Sequence, residues 1–147
     1  DLCDGIFGRE KTWLPLGSEI LPSGFSYEFD IMLNNWKTYI PNCILLGAKS
    51  IVAHVDFFSD EDIKDLINIV SPHSIWLGIS VSNDKEVSFH LDMLRKVQAL
   101  YPHVFVQVMG IREIGEQGQL FDETVPERII EIKIRLRFLE NNSIIFI

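Results

Sequence analysis

The chain has 147 residues, 47% of them hydrophobic and 23% charged, which is the range of a single globular domain built on one core. Its formal net charge of -8 excludes a surface that binds nucleic acid by displacing counterions, because that needs clustered Lys and Arg. No apolar run reaches membrane-spanning length, and Cys3 and Cys43 give neither a disulfide framework nor zinc-site spacing, so the cytoplasm is the expected compartment.

A strand signal opens the chain at Asp1 (DLCDGIF), and Gly8 to Ser26, rich in Pro and Gly, reads as loop with at most a short helix. A second strand signal starts at Tyr27 (YEFDIML). Trp36 to Leu46 then has a helical pattern in which Pro41 must sit in the first turns or kink the helix. After a strand signal at Ser50 (SIVAHVDFF), Ser59 and Asp62 have capping-box spacing, and Ile63, Leu66, Ile67 and Val70 recur at helical period. A strand signal at Ser74 (SIWLGISV) is followed by a helix with Val87, Leu91 and Leu94 on one face, ending at Tyr101-Pro102. The next strand signal, at Val104 (VFVQVMGI), runs into a polar loop with Gly115 and Gly118. Thr124 and Glu127 have the spacing of another capping box, and Val125, Ile129, Ile132, Leu136 and Leu139 line one stripe of the last helix. A final strand signal starts at Ser143 (SIIFI).

Strand and helix alternating at this spacing predict repeated β-α-β units, a parallel sheet, and strands apolar enough to be covered on both faces. Length favours a doubly wound open sheet over a (β/α)8 barrel, which needs about 200 residues or more. Six strand signals with Asp1 and Ile147 both inside strands are equally what six consecutive units of such a barrel give, and the chain is then expected to be a fragment.

Several residues stand out chemically. Gly115 and Gly118 lack side chains, so backbone N–H groups of their loop can approach an anion, with the positive end of the following helix close by. The ordinary alternative is a turn that uses glycine for its positive φ. Asp30, between Phe29 and Ile31 in an apolar strand, needs a metal or a hydrogen-bond donor beside it. His54, also on an apolar strand, reads as a hydrogen-bonded core or pocket-wall histidine rather than a ligand. His73, His90 and His103 follow no ligand spacing and are expected at the surface or at helix ends.

Four segments in register carry a family resemblance. DLCDGIF resembles a D-x-M-D-G-x-F segment, with Cys3 at the methionine. FDIML is similar to a V-H-L-M strand, with Asp30 at the histidine and Met32 matched, and VAHV places His54 at a strand-four histidine. MGIREIGEQGQLF resembles M-S-V-x-P-G-F-G-G-Q-x-F with one extra residue, matching Met109, Gly115, Gly118, Gln119 and Phe121. Together they resemble the ribulose-phosphate 3-epimerases.

That resemblance implies a (β/α)8 TIM-type phosphate-binding barrel, present as an incomplete arc of about six parallel strands in a single domain over residues 1–147. It implies an isomerase of carbohydrate metabolism that inverts a carbon beside a ketone by two-base proton transfer on a pentose-type sugar phosphate. Asp1 is the implied catalytic carboxylate. Asp1 and Asp30 are implied ligands of a divalent cation (Zn, Fe, Mn or Co), Gly115, Gly118 and Gln119 bind the phosphate, and Cys3, Met32, His54 and Met109 form the pocket wall. The partner expected is a small-molecule sugar phosphate, with no nucleic acid and no membrane, and with homo-oligomerisation left open. YEFDIMLNN has no lysine, which separates it from the orotidine-phosphate decarboxylase-like barrels. The competing expectation is a non-catalytic sugar-phosphate binding or sensing barrel, which keeps the glycine loop and tolerates Asp30.

Overall fold

The strand signals become one six-stranded sheet in the computed structural model, which describes residues 1–6, 10–83, 85–112 and 118–137 and the backbone of Ile145–Phe146. Its strands are β1 (Leu2–Cys3), β2 (Tyr27–Met32), β3 (Ala48–Ala53), β4 (Trp76–Val81), β5 (Val104–Val108) and β6 (Ile145–Phe146). They are all parallel and lie in chain order, β1 at one edge and β6 at the other. Four helices alternate with them: α1 (Trp36–Leu45), α2 (Asp60–Val70), α3 (Val87–Leu100) and α4 (Val125–Arg137). The β3 signal extended to Phe58, but the strand ends at Ala53 and Val55–Phe57 form a short 3-10 helix. Among the described residues, no helix is long and apolar enough to cross a membrane.

Parallel neighbours in chain order, joined by right-handed crossovers, put every crossover helix on the same face of the sheet. The packing agrees, since α1 touches α2, α2 touches α3 and α3 touches α4 in a single layer. Alternate strand residues Phe29, Ile31, Ile51, Ala53, Leu77, Ile79, Val104 and Val106 meet that layer in the main core. From α2 come Ile63, Leu66, Ile67 and Val70, all buried and each contributing roughly 1.5–3 kcal/mol by leaving water. The Ser59–Asp62 capping box forms as the spacing predicts and fixes where α2 starts. Pro41 lies in the middle of α1 rather than in its first turn, and Cys43 beyond it is fully buried, its thiol pushed up to about 12 by burial. Both cysteines are free.

The opposite face carries Cys3, Asp30, Met32, Val52, Gly78, Ser80, Phe105 and Gln107, and one hydrogen bond across it reports the shape of the sheet. Gln107 Nε2 donates to Asp30 Oδ2 at 2.9 Å, although β3 and β4 lie between their strands. Neighbouring strands are about 4.8 Å apart, so in a flat sheet these backbones would be separated by roughly 14 Å. An aspartate and a glutamine reach about 3.5 and 5 Å from their Cα atoms, which with the bond itself spans only about 11 Å. The sheet is therefore curved, with the Asp30 face concave. Gly78 assists by giving way to Phe105, whose ring lies across β4 where a Cβ on residue 78 would be 2.5 Å from Cζ.

Candidate functional site

The register across the concave face places the predicted residues. Asp30, Val52, Gly78 and Phe105 form one row across β2 to β5. Two residues further on stand Cys3, Met32, Ser80 and Gln107, where Cys3 pairs with Met32 and Ser80 with Gln107. His54, just past the end of β3, continues the alternation of Val52 onto this face. Asp1 stands one residue before Leu2, which pairs with Ile31, so the exposed Asp1 is level with Asp30.

Three of these side chains form a hydrogen-bonded group. His54 Nε2 donates to Asp30 Oδ1 at 2.7 Å, and Gln107 Nε2 holds Oδ2. The Gln107 nitrogen also lies 3.9 Å from Met109 Sδ. His54 is buried, while the Asp30 side chain keeps 14% exposure. The requirement that Asp30 have a partner is thus met by two donors, and His54, one residue past β3 rather than on it, is buried and hydrogen-bonded. Each Asp30 oxygen retains a second lone-pair direction, so with Asp1 alongside, two carboxylates offer the oxygen ligands a hard divalent cation uses. Among the described residues, no group of three or more His, Cys, Asp or Glu side chains is arranged to hold a metal ion.

The glycine loop is described in part, and Gly115 lies outside the described residues. Gly118 has φ +76°, the left-handed region glycine favours, and a Cβ there would meet nothing within 4 Å among the described residues. Gln119 beside it is half-buried. The neck of the loop is clamped: the Asp122 N–H donates to the Gly110 carbonyl at 2.9 Å, and Asn83 Nδ2 donates to the carbonyls of Met109 and Ile111 at 3.2 and 3.0 Å. The start of α4 is already engaged by a carboxylate. Asp122 Oδ1 accepts from the Thr124 N–H at 3.0 Å and the Thr124 hydroxyl at 2.8 Å, and Oδ2 accepts from Arg112 Nε at 2.9 Å. The Thr124 N–H bond foremost, then Arg112, lower the Asp122 carboxyl to about 2. Arg112, 75% exposed, thus stands at the neck of the loop beside the residues that lead into α4.

His90 corrects the sequence reading. It is buried in α3, its Nε2 3.1 Å from Asp56 Oδ1, an oxygen that also accepts from Ser82 Oγ at 2.7 Å. Burial works to raise the Asp56 carboxyl, and the bonds from His90 and Ser82 outweigh it, so the net direction is down. Gln107, Asn83 and Asp122 were equally unmarked in the sequence, since their partners come from other strands and loops. A separate cleft of about 440 Å³ opens between Ile6, Asn34, Asn35 and Phe57 at the helix side of the β2 end, and its walls do not include Asp30, His54 or Gln107.

No protein-family model matches the chain, and no curated protein matches it.

Proposed function

We propose that the chain is a carbohydrate-phosphate epimerase of the ribulose-phosphate 3-epimerase kind, its curved sheet an arc of a (β/α)8 phosphate-binding barrel. The observation that carries this reading is the Asp30–His54–Gln107 group, drawn from β2, β5 and the residue after β3 onto one concave face, with Asp1 level beside it. Asp1 is the base: exposed and on the same face, its carboxylate takes the proton from the carbon next to the ketone, and inversion is completed when a second acid returns a proton from the opposite side. Asp30 cannot rotate freely, because each oxygen is held by a donor, so its carboxylate is fixed in place on this face. Cys3 and Met32, both buried, and Met109 line the same face and keep water from the carbon while it lacks its proton. A divalent cation (Zn, Fe, Mn or Co) held by Asp1 and Asp30 would supply positive charge opposite the oxygen that becomes negative. The phosphate falls to the loop of Gly118 and Gln119, with Arg112 at its neck.

The second reading is a non-catalytic sugar-phosphate binding barrel. What favours it is that both oxygens of Asp30 are already engaged, an arrangement that serves binding without proton transfer. Deuterium exchange separates the two. With D-ribulose 5-phosphate in heavy water, the wild type is expected to exchange the C3 proton, followed by NMR, and Asp1→Asn to bind without exchanging, because the amide keeps the shape but takes no proton. Binding without exchange in the wild type selects the second reading.

A further inference from the structure

Gln107 has one side-chain orientation open to it. Its nitrogen faces Asp30 Oδ2 at 2.9 Å and Met109 Sδ at 3.9 Å. Turning the amide over would set Oε1 against a carboxylate, two acceptors with no proton between them. Oε1 is thereby directed away from Asp30, and it accepts no hydrogen bond among the described residues. Ser80 is its neighbour in register on β4, with its side chain on the same face. Ser80 is fully buried, and its hydroxyl has no partner among the described residues. Buried hydroxyls are ordinarily satisfied, so the Ser80 hydroxyl, with the half-buried Gln107 next to it in register, needs an explanation.

The two atoms differ in kind from a phosphate site. Neither carries positive charge, and the carboxylate of Asp30 beside them repels anions. Around them, Val52 and Phe105 are apolar and buried. An acceptor and a hydroxyl on an apolar floor suit a neutral group that both donates and accepts, which is an alcohol. We propose that Gln107 and Ser80 form a hydroxyl-binding subsite that holds the polyol part of a sugar phosphate, Gln107 Oε1 accepting the ligand O–H and the Ser80 hydroxyl completing the pair. This rests on the ketose-phosphate reading above and adds the groups that recognise the carbon chain, apart from those that hold its phosphate.

Ser80→Ala is the discriminating variant, because it removes a hydroxyl that has no partner among the described residues. Thermal stability is expected to be unchanged or higher, while affinity for D-ribulose 5-phosphate by calorimetric titration falls about tenfold and affinity for inorganic phosphate stays the same. Gln107→Met is expected to weaken the ketose phosphate by about tenfold or more, again sparing inorganic phosphate. An unchanged ketose-phosphate affinity in Ser80→Ala overturns the proposal. So does an equal loss for both probes, which marks a general distortion, and so does a wild type that binds the ketose phosphate no more tightly than inorganic phosphate. Selective weakening in the variants, with no deuterium exchange in the wild type, would leave the subsite standing and remove the epimerase.

Discussion

Replacing Gly78 by alanine tests how the concave face is packed. A Cβ at this position would lie 2.5 Å from Phe105 Cζ, 2.6 Å from Cε2 and 3.0 Å from Val52 Cγ2, against about 3.5–4.0 Å for comfortable carbon contacts. Phe105 is 2% exposed, so its ring has no route into water and must push on its neighbours. Overpacking of this kind costs about 1–3 kcal/mol, and an overlap of roughly 1 Å belongs near the upper end. Replacing glycine in a strand regains about 0.4–1 kcal/mol of backbone entropy, leaving a net loss of about 2 kcal/mol. For a chain of this length the midpoint of a thermal melt should fall by about 6 °C. Phe105→Leu shortens the obstructing ring, so the double variant Gly78→Ala/Phe105→Leu should recover about 1–2 kcal/mol relative to the sum of the single changes. A wild-type melting point for Gly78→Ala, or simple additivity in the double variant, would refute this account of the inner face.

Acid should destabilise the fold through carboxylates with lowered folded-state pKa values. Asp62, lowered to about 2 first by the Ser59 hydroxyl and then by Lys37, and Asp122, also about 2, each contribute stability that is complete above the ordinary aspartate value of 3.8 and is lost as pH falls from there toward 2. Urea midpoints measured across that window should drop in the wild type and drop less steeply in Asp122→Asn; parallel curves would show that Asp122 is not among the groups responsible. Gly118→Ala separates the two roles of the loop. Its positive φ means the change should lower the melting point by itself, and since no described residue lies within 4 Å of the missing Cβ, a selective loss of sugar-phosphate affinity in a titration reports a ligand there. A lower melting point with unchanged affinity assigns the glycine to backbone geometry alone.

What could be read in the sequence was local. The α2 cap needs only Ser59 and Asp62, three residues apart, and the faces of α2 and α3 follow from helical period, so both were legible before any coordinates. The β2 and β4 signals likewise matched, because short apolar runs between turn residues have few alternatives. The functional face was legible only as isolated letters. Asp30 announced that it needed a partner, yet one donor, Gln107, lies 77 positions away and was unremarkable in VFVQVMGI. His90 was misread for the same reason, since its environment is made by Asp56 and Ser82 and helical periodicity carries no information about them. The curvature that brings β2 within reach of β5 is a property of the whole sheet and is written in no single segment.

The two free thiols form a pair of chemical clocks. Cys43 is sealed on the buried face of α1 with its thiol shifted to about 12, and Cys3 is sealed on the concave side of the edge strand β1. A thiol so protected reacts with an alkylating reagent only while the structure around it is open, so its labelling rate measures the frequency of that opening. Because one clock sits on the helical side of the sheet and the other on the hollow side, their relative rates would report which side breathes first. No label, tag or substitution is needed to install them.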